Sequence, residues 1–136
     1  MRILLCKFCE YATKLENGRH SLLGIFDDIR TAQLPVDHPV FYMVFQVEFE
    51  REECGQAFDI GVRFVAPNNT EIFRSDLKTE VPPRPPQDQM LLFFFAPISG
   101  VKLTQTGLHR IIISANGDTI HTEALPVTIP APVPSR

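Results

Sequence analysis

The chain contains no tryptophan, only 7 glycines and only 3 cysteines in 136 residues. It also lacks a basic excess: 13 Lys and Arg against 16 Asp and Glu leave a formal charge of −3. The glycines are scattered, with no G-x-G and no Gly-Lys-Ser/Thr, so no phosphate-cradling loop is expected. The acidic balance argues against a nucleic-acid partner, which would favour a basic patch. No apolar run approaches the roughly 18 residues of a membrane-spanning helix, so no membrane partner is expected. The odd set Cys6, Cys9 and Cys54 suits a reducing compartment better than a disulfide framework. The apolar run before Lys7 is about four residues, short of the roughly 7–15 of a secretory core. No lipidation motif fits at either end. The expected setting is the cytoplasm.

What the chain does contain is hydrophobic patterning. Hydrophobic residues make up 44%, with 11 Phe and 12 Pro. A chain this long buries about two-thirds of its unfolded surface without disulfide or metal staples. Apolar residues recur with period 2, and no segment keeps a 3.6-residue period. In residues 41–50, Phe41, Met43, Phe45, Val47 and Phe49 share one face. In residues 57–65, Phe58, Ile60, Val62 and Phe64 do the same. Further strands are expected at 3–12, 21–29, 71–81, 89–98, 108–115 and 119–129. Turn chemistry separates them at Asn17-Gly18, Pro67-Asn68-Asn69-Thr70 and Asn116-Gly117-Asp118. About eight strands with short connections predict an all-β fold, an antiparallel β-sandwich of immunoglobulin-like type.

The prolines punctuate this pattern. Residues 81–88, with Pro82, Pro83, Pro85 and Pro86, are expected to be a stiff crossover between sheets rather than a PxxP ligand. Pro126 places the last strand at an edge or bulge. One domain is expected over residues 1–129, with a proline-rich exposed tail at 130–136.

Two stretches resemble known families. Gln105-Thr106-Gly107-Leu108-His109-Arg110-Ile111 resembles the start of the penultimate strand of immunoglobulin-like domains, with His109 where a corner tyrosine would stand. Cys9-Glu10-Tyr11-Ala12, Gly24-Ile25-Phe26-Asp27 and Asp37-His38-Pro39 resemble a bacterial family of uncharacterised small β-sandwich domains. That resemblance implies the fold and a bacterial source, and no activity.

No catalytic template is complete. Cys6-Lys7-Phe8-Cys9 is a CxxC, but in a strand its two sulfurs point to opposite faces, so no metal site or other cofactor is expected. No Gly-x-Ser-x-Gly elbow occurs. A simple turn at Asn116-Gly117 sets His109 opposite Ala124 and His121 opposite Ile112, so these histidines do not pair. Asp27 and Asp28 are expected on opposite strand faces, and Glu48, Glu50, Glu52 and Glu53 at a solvated strand end, which is no calcium cage.

The most informative stretch is Met90-Leu91-Leu92-Phe93-Phe94-Phe95-Ala96, apolar on both faces. One face fills the core and the other needs a cover. The outward pair is either Leu92 and Phe94 or Phe93 and Phe95; Leu92 and Phe94, with Tyr42 and Val44 on the neighbouring strand, are the expected interface set. Their cover is either the chain's own loops or tail, or a second subunit in a sheet-to-sheet dimer. Two functions follow. The first is a non-enzymatic binding or assembly module that takes a protein partner or self-associates through that face. The alternative is a small enzyme or ligand-binding domain with a loop-end site of Asp28, Asp37, His38 and Cys9.

Overall fold

The computed structural model describes residues 1–83 and 90–131. Most of the crossover 81–88, and the last five residues of the expected tail, lie outside the described residues. Strands β1 (Arg2–Lys14), β2 (His20–Phe26), β5 (Phe41–Phe49) and β8 (Met90–Ile98) form one sheet in the order β2-β1-β5-β8. Strands β3 (Ile29–Arg30), β11 (Asp118–Thr128), β10 (Gly107–Ala115), β6 (Ala57–Val65) and β7 (Glu71–Glu80) form the second, in that order. Two short strands, β4 (Val36–Asp37) and β9 (Lys102–Leu103), pair separately. The architecture is an all-β sandwich, and no helix among the described residues is long and apolar enough to cross a membrane.

The core follows from the alternation. Phe41, Met43, Phe45, Val47 and Phe49 point inward from β5 and are all buried. They meet Ile60, Val62 and Phe64 of β6, Ile111 and Ile113 of β10, and Leu125 and Val127 of β11. Fully burying each such side chain contributes about 1.5–3 kcal/mol, which offsets the entropy of ordering the strands. Phe45 stacks on Phe94 across the β5–β8 pair, with ring centroids 5.2 Å apart.

That stack corrects the expected interface set. Phe94 lies opposite Phe45 and points into the core, 6% exposed. Leu92, opposite Val47, packs against the core rim. The outward residues of β8 are Phe93 and Phe95, opposite Gln46 and Val44. Pairing alone decides this, because each residue shares a face with the one directly opposite. Tyr42 and Val44 do occupy the outer register, but Val44 is fully buried and Tyr42 half-buried.

The chain itself covers much of this face. β2 and β8 are the two edges of their sheet, about 14 Å apart at the usual strand spacing. Yet the His20 ring of β2 lies 4.2 Å from the Phe93 ring and 5.2 Å from the Phe95 ring, centroid to centroid. The far end of the β1–β2 hairpin therefore leaves the plane of the sheet and curls over toward β8. Gly24, at φ +67°, marks a break in the pairing opposite Glu10, and a Cβ there would sit 2.8 Å from the Glu10 side chain.

Two further expectations change. The segment 21–29 is not one strand. β2 stops at Phe26, a bend at Asp27-Asp28 carries the chain to the other sheet, and β3 runs parallel to β11 there. The two aspartates thus sit at a corner rather than on opposite faces of a strand. In the last hairpin, Ser114 pairs with Thr119 but Ile113 pairs with His121, leaving Ile120 as a bulge. His109 consequently lies opposite Leu125, and His121 opposite Ile113. The tight turn alone would pair odd positions with even ones, whereas the buried apolar residues of both strands are odd; one extra residue reconciles them.

Candidate functional site

Three places carry groups that could act on something outside the chain. The first is the free part of the outer face. Tyr11 and Leu23 are cross-strand partners, and Ile25 lies two residues further along β2, beyond the break at Gly24. Leu23 and Ile25 are 58% and 57% exposed, and Tyr11 is 50% exposed. The Tyr11 ring meets Tyr42 edge-on, with centroids 5.8 Å apart. The exposed apolar surface is thus displaced two strands from Leu92 and Phe94, onto β1 and β2. The signal was present, since Leu22-Leu23 and Ile25-Phe26 make β2 apolar on both faces like β8. Only the hairpin's curl determines which of the two surpluses stays uncovered.

The second place is the loop end. Asp28 and His38 line one cleft of about 450 Å³, together with Glu10, Phe26 and Arg30. The Asp28 carboxylate accepts from Arg30 Nε at 2.9 Å, and the His38 Nδ1 donates to the Pro39 carbonyl at 2.6 Å. The other two expected residues do not join them. Cys9 is fully buried in the outer register opposite Tyr42, where burial pushes its thiol pKa up. Asp37 is exposed on β4 and does not line the cleft. The nucleophile is therefore separated from the base, and what converges is a charged concavity with one imidazole.

The third place lies where β1 faces β11 across the open edge of the sandwich. Cys6 points inward from β1, opposite Phe45 in its sheet, while Cys9 points outward. The CxxC thus divides between the two faces, as strand geometry requires. Across the gap, His121 and Glu123 alternate inward in step with Leu125 and Val127. The Cys6 sulfur, a His121 nitrogen and a Glu123 oxygen all lie within 4.8 Å of one another. His121 Nε2 and Glu123 Oε2 are 2.6 Å apart, and the Cys6 thiol lies close to the Glu123 carboxylate. Burial first, then the Glu123 charge, pushes the Cys6 thiol up to about 12. A thiol so held is protonated at neutral pH and is not an activated nucleophile. Sequence reasoning considered Cys6 and His121 separately. Nothing local joins them, because they meet only when the two sheets pack.

His109, at the position likened to a corner tyrosine, is fully buried, and its Nδ1 donates back to the Gly107 carbonyl at 3.0 Å. Among the described residues its Nε2 has no hydrogen-bond partner, and burial lowers the ring pKa.

No curated protein matches the chain. The model of a family of unknown function (DUF6941) matches residues 4–128.

Proposed function

The chain belongs to this family of unknown function, and within it we propose that the protein is a non-enzymatic binding module that engages protein surfaces through the outer face of β1 and β2. The observation that carries this reading is the exposure of the cross-strand partners Tyr11 and Leu23, with Ile25 also exposed on the same strand as Leu23. Three large apolar side chains on one hairpin, each at least half exposed, cost free energy in water that a partner would recover. No charged residue interrupts β2 between His20 and Phe26. Gly24 breaks the regular pairing of this edge strand, which favours face-to-face packing over strand addition. A second copy of the chain is the occupant to test first, with apolar face against apolar face. The cytoplasmic setting belongs to the same proposal and is supported by three free thiols. The immunoglobulin-like resemblance and the bacterial source remain parts of the proposal, supported by the residue motifs around His109 and Tyr11.

Light scattering across a concentration series tests it. The wild-type chain is expected to dimerise, and Leu23→Glu with Ile25→Glu to yield a folded monomer. A strict monomer up to about 1 mM, corresponding to an association weaker than about −4 kcal/mol, removes self-association. The cleft of Asp28 and His38 favours a second reading, binding of a small polar ligand. Its support is the convergence of Glu10, Asp28, Arg30 and His38 on one concavity. Loss of ligand-induced amide shifts in His38→Ala would locate such binding there.

A further inference from the structure

The open edge of the sandwich has a polar lining that folding alone does not require. β2 pairs with β1 only from Phe8 onward, and β3 pairs with β11 only at Val127 and Thr128. Between these points no strand among the described residues pairs with the edge of β1 or of β11. Positions that point inward here could carry small apolar residues, continuing the core. They carry instead a thiol, an imidazole and a carboxylate, all half-buried.

We propose that Cys6, His121 and Glu123 form a binding site for one divalent cation of the zinc class. A thiolate and an imidazole favour a borderline-soft metal over calcium or magnesium, which take oxygen ligands. The charges also fit: one thiolate and one carboxylate neutralise a dication, and the imidazole stays neutral. Donors about 2.0–2.3 Å from a tetrahedral ion stand roughly 3.3–3.8 Å from one another. The present spread of up to 4.8 Å closes, and the 2.6 Å His121–Glu123 contact opens, by small side-chain rotations. Both partners of that contact are about one-third exposed, so they have room to turn.

Strand geometry makes the site stiff in the right places. His121 and Glu123 are two residues apart on one strand and so share a face, while Cys6 comes from the opposite sheet. A bound ion would bridge the two sheets where no strand among the described residues closes them. Binding forms the metal–sulfur bond as the thiol gives its proton to solvent, and Glu123 exchanges its contact with His121 for a metal bond. The fourth coordination position opens toward a cleft of about 180 Å³ lined by Cys6, Phe26, Asp27 and Glu123. Three protein ligands with one open position leave space for water or a small anion.

The test uses the full chain, free of any affinity tag, titrated with Co2+ and then Zn2+ at pH 7.5. Saturation at one ion per chain is expected, with thiolate-to-cobalt charge-transfer absorption that Zn2+ abolishes. Cys6→Ser should lose that absorption and weaken Zn2+ binding by more than about 100-fold, since losing a direct ligand exceeds the 10–100-fold cost of losing its outer-shell support. Glu123→Gln and His121→Ala should weaken binding while keeping part of the absorption, and Cys54→Ser should behave as wild type. Thermal unfolding without metal checks that each variant is folded. Absence of saturable binding, or binding unchanged in folded Cys6→Ser, overturns the proposal.

Discussion

The His20 ring of β2 lies over Phe93 of β8, with centroids 4.2 Å apart, although these strands are the opposite edges of one sheet. This contact closes the outer face over the aromatic surplus of β8. It turns what reads in the sequence as an exposed triplet into a mostly self-covered one. It also leaves the uncovered apolar surface at Tyr11, Leu23 and Ile25.

His20→Ala should therefore loosen the hairpin rather than the sandwich. The lost ring contacts with Phe93 and Phe95 are worth about 0.5–1.5 kcal/mol each at most. Hydrogen exchange should accelerate in the hairpin and leave β10 unchanged, and binding of a hydrophobic dye should rise. Equal loss of protection in both sheets would contradict the local role.

Phe94→Ala and Phe93→Ala should differ sharply despite being neighbours. Phe94 stacks on Phe45 inside the core, and its truncation should cost about 3–5 kcal/mol in denaturant unfolding. Phe93 is only half-buried under His20, so its loss should cost about 1–2 kcal/mol. Equal costs would mean the β5–β8 register is wrong by one residue.

His109 should make the fold acid-sensitive. Its pKa is lowered by burial, so the folded chain resists taking a proton that the unfolded chain accepts near pH 6.5. The contribution is fully present above that pH and is lost as pH falls below it. The ring faces Phe64 and the Gly107 carbonyl, neither of which supplies a compensating charge. His109→Phe should flatten the fall in melting temperature between pH 7 and pH 5. An unchanged slope in the variant would assign the effect to other groups.

The self-association of the β1–β2 face and the cation site at the sandwich edge are independent of each other. Tyr11→Glu with Leu23→Glu should weaken the first and leave Co2+ absorption intact; Ile25 stays unchanged in this variant because it also lines the cleft beside Cys6 and Glu123. Cys6→Ser should do the reverse, because Cys6 points inward from β1 while Tyr11 and Leu23 are exposed toward the far end of the hairpin.

Much of this molecule follows from period-2 alternation alone. Phe41 through Phe49 and Phe58 through Phe64 present their core faces in sequence order, since successive side chains of a strand must point to opposite sides. The divided CxxC follows from the same geometry. The bulge at Ile120 was not legible this way: the simple turn predicted other partners, and Ile112, Ile120 and Ala124 put apolar residues on even positions as well. What alternation cannot supply is which strand lies opposite which, and that is a property of packing between distant segments. Pairing Phe94 with Phe45 decided which face of β8 is inside. The sheet change at Asp27-Asp28 left the edges of β1 and β11 open to each other. Sheet packing then brought Cys6 to within reach of His121 and Glu123, 115 and 117 positions away. The sequence determined the faces of the strands, through local backbone geometry. The tertiary structure decided which faces meet, because that choice depends on burying every apolar face at once.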